Sequence, residues 1–149
     1  VNGRYTPRQR QVYDAVLRVF RAANGLLRPG NTPGDYQREV LEVMQGELVG
    51  LGLIDAKAAK EQGPDKPLVR RYFMHGTSHH LGLDVHDVSP PHQPFLEGMV
   101  FTIEPGIYIR EEGIGIRIEN DFVLGKDSNF DLMKDIPIEA EEIEELMNA

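Results

Sequence analysis

The chain has 149 residues, a formal charge of −8 and no cysteine. That length suits one domain with its own core, the acidic balance argues against electrostatic attachment to nucleic acid, and the lack of thiols excludes disulfides and cysteine nucleophiles while fitting a reducing, cytoplasmic setting. No apolar run approaches the roughly 20 residues of a membrane-spanning helix, and no secretory signal pattern is visible.

Thr6 followed by Pro7 and Gln9 predicts the start of a first helix, with Val12, Val16, Val19 and Phe20 at helical spacing before Asn24 and Gly25 stop it. Arg8, Arg10, Arg18 and Arg21 lie on this helix, but acidic residues dominate elsewhere. Thr32 and Pro33 repeat the start signal for a second helix carrying Tyr36, Val40, Val43, Met44 and Leu48 and ending at Gly50 and Gly52. Such stripes form cores far more often than cofactor sites. The polar stretch from Lys57 to Lys66 reads as a helix end and loop. Strands are expected to dominate from Tyr72 to Leu124, and the glutamate-rich stretch from Ile138 to Met147 reads as a solvated terminal helix. The order helix, helix, strands, helix predicts an α+β domain with helices on one face of a curved antiparallel sheet.

Within the strand region, His75 to Asp87 reads HGTSHHLGLDVHD. His75 and His79 share a face on a helix or on a strand, because their spacing fits both periods. Gly76, Gly82, Thr77 and Val85 disfavour a long helix and point to a short strand entering a loop. Taken alone, such a pair is more often a surface or hydrogen-bonded pair than a ligand set. His80 reads as a packing or rim residue and His92, among prolines, as a loop residue.

Downstream, Met99, Phe101 and Ile103 alternate with Val100, Thr102 and Glu104, as in a strand whose last acidic residue is held extended by Pro105. Ile114, Ile116 and Ile118 form one face of a further strand, leaving Gly115, Arg117 and Glu119 on the other. The link between them is short enough for an antiparallel hairpin turning around Arg110 to Gly113. If Ile109 faces Ile114, Glu104 faces Glu119, unless Gly106 introduces a bulge. Opposed carboxylates repel and call for a cation or a shared proton between them. Arg117 supplies part of that charge, which alone would make a structural ion-pair cluster. With His79 added, metal binding is the better reading.

These three motifs, HGTSHHLGLDVHD, EPGIYI and GIRIEND in this order, resemble the catalytic half of aminopeptidase P, the Xaa-Pro aminopeptidase of the pita-bread (creatinase/aminopeptidase-like) metallopeptidases. The opening VNGRYTPRQRQVYDAVL is similar to the segment that follows that family's metal-binding hairpin, so the resemblance covers nearly the whole chain. It implies a partial pita-bread fold and a hydrolase that releases the N-terminal residue from peptides with proline in second position. Two divalent ions, Mn2+ by expectation with Zn2+ or Co2+ as alternatives, would hold a bridging water or hydroxide as the nucleophile. On this resemblance His79, Glu104 and Glu119 are metal ligands, with Glu104 also the candidate general base. His75 approaches the substrate near the scissile bond, His86 contacts its carbonyl or shuttles a proton, and Arg117 supports the site.

The family's two aspartate ligands have no counterpart here. They would lie on a strand pair before Val1, so residues 1–149 are expected to be the C-terminal portion of a catalytic domain, inactive alone and completed by the missing N-terminal half of the same protein. Asp55 and Asp65 have a comparable separation but flank the polar loop and are not assigned as ligands. Asp84, Asp87 and Asp121 read as turn or supporting residues. Three ligands hold one ion weakly at most. The intact enzyme would be a homo-oligomer. A shallow pocket near His75, Leu81 and Tyr108 is expected to receive the proline ring. The alternatives are a prolidase, a creatinase-like hydrolase, and a metal-free interaction module of the same fold in which the glutamate cluster is structural.

Overall fold

The computed structural model describes residues 2–64, 67–90 and 92–149, so Asp65, weighed above, lies outside the described residues. Helix α1 (Pro7–Leu26) begins with a reciprocal cap. The Gln9 N–H donates to Thr6 Oγ1 at 3.2 Å and the Thr6 N–H donates to Gln9 Oε1 at 2.9 Å. The helix passes through Asn24 and Gly25 for one further residue, because tertiary packing overrides a weak stop signal. Helix α2 (Pro33–Gly50) is capped by Thr32 and buries Tyr36, Val40, Met44 and Leu48. Asp55 accepts from the N–H groups of Lys57 and Ala58 and thereby caps a short helix α3 (Ala56–Glu61).

Five strands follow: β1 (Val100–Ile103), β2 (Gly106–Ile109), β3 (Ile114–Arg117), β4 (Asn120–Val123) and β5 (Phe130–Asp131). They form two antiparallel sheets, in the orders β1-β4-β5 and β2-β3. The single curved sheet expected is thus interrupted, because Glu104 with Pro105, and Ile118 with Glu119, separate the two ladders. Strands also occupy less of the chain than expected. Between Tyr72 and Met99 a lone bridge, His80 to Phe101, is the regular pairing among the described residues, and Gly76, Gly82 and several prolines keep the rest irregular.

Helix α1 packs against α2 and against β1, β2 and β3. Val12, Val16, Val19 and Phe20 are buried in that core, and the Phe20 ring meets Phe122 of β4 at 5.8 Å. Each such side chain contributes about 1.5–3 kcal/mol by leaving water. The last helix, α4 (Ala140–Met147), is more firmly attached than a solvated helix would be. Ala140 is buried and Ile143 packs on the core. The Tyr13 hydroxyl donates to the Ile138 carbonyl at 2.7 Å, and the Tyr5 N–H donates to Glu144 at 2.7 Å. The four arginines of α1 make no basic stripe: Arg8 pairs with Glu112, Arg10 with Asp14 and Glu141, Arg18 with Glu47, and Arg21 with Glu139.

Candidate active site and metal centre

The β1/β4 ladder pairs Ile103 with Asn120, and the β2/β3 ladder pairs Gly106 with Arg117. Both keep one offset, so no bulge forms and Glu104 lies opposite Glu119 in the gap between them. An Ile118 N–H bond to the Pro105 carbonyl at 3.3 Å spans that gap. The hairpin turns through Arg110–Glu112 in a single helical turn closed by Gly113, whose φ of +62° suits a residue without a Cβ.

On the other side of β1, the extended segment from Thr77 to Leu81 runs antiparallel to it. The Leu81 N–H donates to Val100, the Thr102 N–H to His79 at 3.1 Å and the Glu104 N–H to Thr77 at 2.8 Å. Opposed residues of antiparallel strands point to one face, so His79, Glu104 and Glu119 project together. The His79 N–H donates to the buried Thr102 hydroxyl at 3.1 Å rather than to a carbonyl. Helix α2 steadies this segment from behind. Its Gln37 side chain accepts from the Thr77 N–H at 2.8 Å, and its buried Tyr36 hydroxyl meets the Ser78 hydroxyl at 3.0 Å. Burial pushes the Tyr36 phenol above its ordinary range.

Donor atoms of His79, Glu104 and Glu119 all lie within 4.8 Å of one another. His79 Nδ1 donates to the His80 carbonyl at 3.2 Å, and Nε2 faces Glu104 Oε1 at 3.5 Å. The two neighbouring carboxylates call for positive charge between them. Arg117 supplies some from the flank, with Nη1 3.8 Å from Glu104 and Nη2 3.1 Å from Glu119, although it is half exposed. One imidazole nitrogen and two carboxylates form a donor set that suits a divalent transition ion, and the bond from Nδ1 to a carbonyl is the arrangement that fixes a ligating histidine.

A cleft of about 580 Å³ opens over these groups, lined by His75, His79, His86, Glu104, Arg117 and Glu119 together with Ser78 and Val85. The His86 ring stands edge-on to His79 at 4.2 Å. His75 Nδ1 donates to the Gly76 carbonyl at 2.7 Å, and Nε2 shares a hydrogen bond with the Tyr108 hydroxyl at 2.8 Å. All six residues singled out in the sequence therefore meet at one cleft. His80 packs on Phe101 at 5.1 Å and His92 is exposed, away from the cleft lining. Leu81 is also outside that lining, and Tyr108 faces a separate hollow beside Arg71 and Met74. The Tyr108 ring lies over Gly106, where an added Cβ would stand 2.6 Å from its hydroxyl. Sequence reasoning missed Thr102, Tyr36 and Gln37. Thr102 was within reach, two residues before Glu104 on the same face, whereas nothing local marks the α2 pair.

Helices behind an antiparallel framework that gathers one histidine and two glutamates give a part of the pita-bread fold with a candidate metal centre. The chain belongs to metallopeptidase family M24, whose profile matches residues 1–126. Xaa-Pro aminopeptidase of Escherichia coli K12 is 42% identical over the whole chain, which covers 36% of that protein. Human Xaa-Pro aminopeptidase 3 is 39% identical over 98% of the chain and 30% of its own length. The low-pH structure of E. coli aminopeptidase P superposes with a TM-score of 0.85 at 37% identity, covering 99% of this chain and 36% of that one. Pseudomonas aeruginosa aminopeptidase PepP gives 0.86 at 32% identity with the same coverage. The chain thus spans about a third of the length of the relatives it matches. Among the described residues no helix is long and apolar enough to cross a membrane.

Proposed function

We propose that residues 1–149 form the C-terminal portion of the catalytic domain of a metal-dependent aminopeptidase that removes the N-terminal residue from peptides with proline in second position. The observation that carries this reading is the convergence of His79, Glu104 and Glu119 donor atoms within 4.8 Å, beneath a cleft walled by His75 and His86. Family membership and the Xaa-Pro aminopeptidase relatives support the substrate class.

On this reading His79 Nε2 and the two glutamates hold a divalent ion, manganese first among the candidates. The ion, when bound, supplies Lewis-acid polarisation of the peptide carbonyl and lowers the pKa of water. The remaining work belongs to side chains. Glu104 takes a proton from the attacking water. His86, exposed beside His79, donates toward the substrate carbonyl or carries a proton to the leaving amine. His75, with Nδ1 tied to Gly76 and Nε2 to Tyr108, presents a fixed ring edge to the substrate near the scissile bond. Arg117 tempers the repulsion between the two carboxylates when no substrate is present. Three donors alone hold an ion weakly, and further donors for a two-ion site would come from upstream sequence of the same protein. The partners are then a peptide, that upstream half and further copies of the intact chain, and the lack of cysteine fits work in the cytoplasm.

The Arg117 bridge between Glu104 and Glu119 favours a second reading, a metal-free interaction module in which the cluster is structural. Manganese-dependent release of the first residue from an Xaa-Pro-Xaa tripeptide by the full-length protein tests the enzyme reading. Manganese uptake should rise with pH, as ligands lose protons, and vanish in His79→Ala. Uptake by His79→Ala equal to that of the unaltered protein would overturn the ligand assignment.

A further inference from the structure

Residues 82–88 carry His86 over the cleft, yet the loop has no apolar anchor. Leu83, Val85 and Val88 are 102%, 71% and 88% exposed, so burial does not decide where the loop sits. Polar bonds do, and they meet at one side chain. Asp87 Oδ2 accepts from the Leu83 N–H at 2.9 Å and Oδ1 from the Val88 N–H at 2.8 Å. The Asp87 N–H donates to the His80 carbonyl at 3.1 Å, the same oxygen that receives His79 Nδ1 at 3.2 Å. One acceptor therefore ties the tautomer of His79 to the base of the loop.

Gly82 completes the arrangement. A Cβ there would stand 1.9 Å from Asp87 Oδ2 and 2.9 Å from its Cγ, so the carboxylate occupies the space that any other residue would fill. The Gly82 N–H bonds the Asp84 carbonyl at 3.2 Å, closing the loop on itself.

We propose that Asp87 is a positioning residue, seated in the space left by Gly82, that clamps the loop from Gly82 to Val88 and so holds the His86 ring edge-on against His79. The clamp is a statement about the loop, and its catalytic consequence rests on the aminopeptidase reading above. Because both carboxylate oxygens take backbone N–H groups, an amide at position 87 satisfies one and leaves the other without an acceptor. Supporting bonds of this kind around metal centres change activity by about 10–100-fold when removed.

The experiment compares Asp87→Ala, Asp87→Asn, Gly82→Ala and the double variant Gly82→Ala/Asp87→Ala in the full-length protein, by amide hydrogen exchange and by kinetics on an Xaa-Pro-Xaa tripeptide. Asp87→Ala should speed exchange at Leu83 and Val88 by about tenfold or more while the core amides of α1 keep their protection. It should lower kcat about 10–100-fold with little change in KM or in manganese uptake, and Asp87→Asn should fall between it and the unaltered protein. Gly82→Ala should reproduce the loss in the presence of Asp87 and add nothing in its absence, because the clash is with that carboxylate. Exchange in Asp87→Ala equal to that of the unaltered protein, or simple additivity in the double variant, would overturn the clamp. Faster exchange with unchanged kcat would overturn the positioning of His86. If the full-length protein hydrolyses no Xaa-Pro peptide, the aminopeptidase reading fails, while the exchange data still decide the clamp.

Discussion

Replacing Thr102 with valine tests the link between β1 and His79, the histidine proposed as a metal ligand. Thr102 is 2% exposed, and its hydroxyl accepts the His79 N–H at 3.1 Å where an antiparallel ladder would ordinarily offer a carbonyl. Valine matches its shape but removes the acceptor, leaving a part-buried N–H unsatisfied at a cost of about 1–3 kcal/mol. The added methyl group returns about 0.8 kcal/mol through burial, so a net loss of about 0.2–2.2 kcal/mol is expected. Serine keeps the hydroxyl and loses a methyl, costing about 1 kcal/mol through the cavity. The two variants are thus similar in stability but differ in what they do to His79. Thr102→Val should weaken manganese binding by about 10–100-fold, as loss of a supporting bond does, whereas Thr102→Ser should bind nearly normally. Urea unfolding followed by far-ultraviolet circular dichroism gives the stabilities, and calorimetric titration gives the metal affinities. Normal manganese affinity in Thr102→Val, or an equal loss in Thr102→Ser, would refute the reasoning.

Gly106→Ala should push the Tyr108 ring away, since the new Cβ would stand 2.6 Å from its hydroxyl, and break the bond to His75. A stability loss of about 1–3 kcal/mol is expected with Tyr108 present and a smaller one in the Tyr108→Ala background; equal losses in both would show that the strain lies in the backbone. Burial raises the phenols of Tyr13 and Tyr36 above 10.0, so the fold favours their neutral forms. Their contribution is present below pH 10.0 and is lost as pH rises beyond it, so the unfolding free energy should fall more gently with alkaline pH in Tyr36→Phe than in the unaltered protein. Hydrogen bonds from Arg8 and Arg10 hold the Glu112 and Glu141 carboxyls below their ordinary 4.5. That stabilisation is present above pH 4.5 and is lost as pH falls through the lowered values. Because both carboxylates are exposed, Tm in this acid range should be salt-dependent, and less so in Arg8→Gln.

Two helices, their capping threonines and the hairpin register were legible in the sequence, because each depends on neighbours a few residues apart. The alternation around Glu104 and the isoleucines of β3 fixed which side chains share a face, and the turn length then set Glu104 opposite Glu119. The three motifs also pointed to the family from residues alone. Other features depend on contacts remote in the chain. Tyr36 and Gln37 reach Ser78 and Thr77 across about forty positions, and no local pattern announces them. The break between the two sheets and the firm seating of α4 on α1 likewise arise from packing, where Tyr13 and Tyr5 find partners near the other end of the chain. The motif residues alone specified a set of candidate donors; the tertiary structure decided that His79 enters from one side of β1 and Glu119 from the other, since only a strand paired on both edges brings their donor atoms to one face.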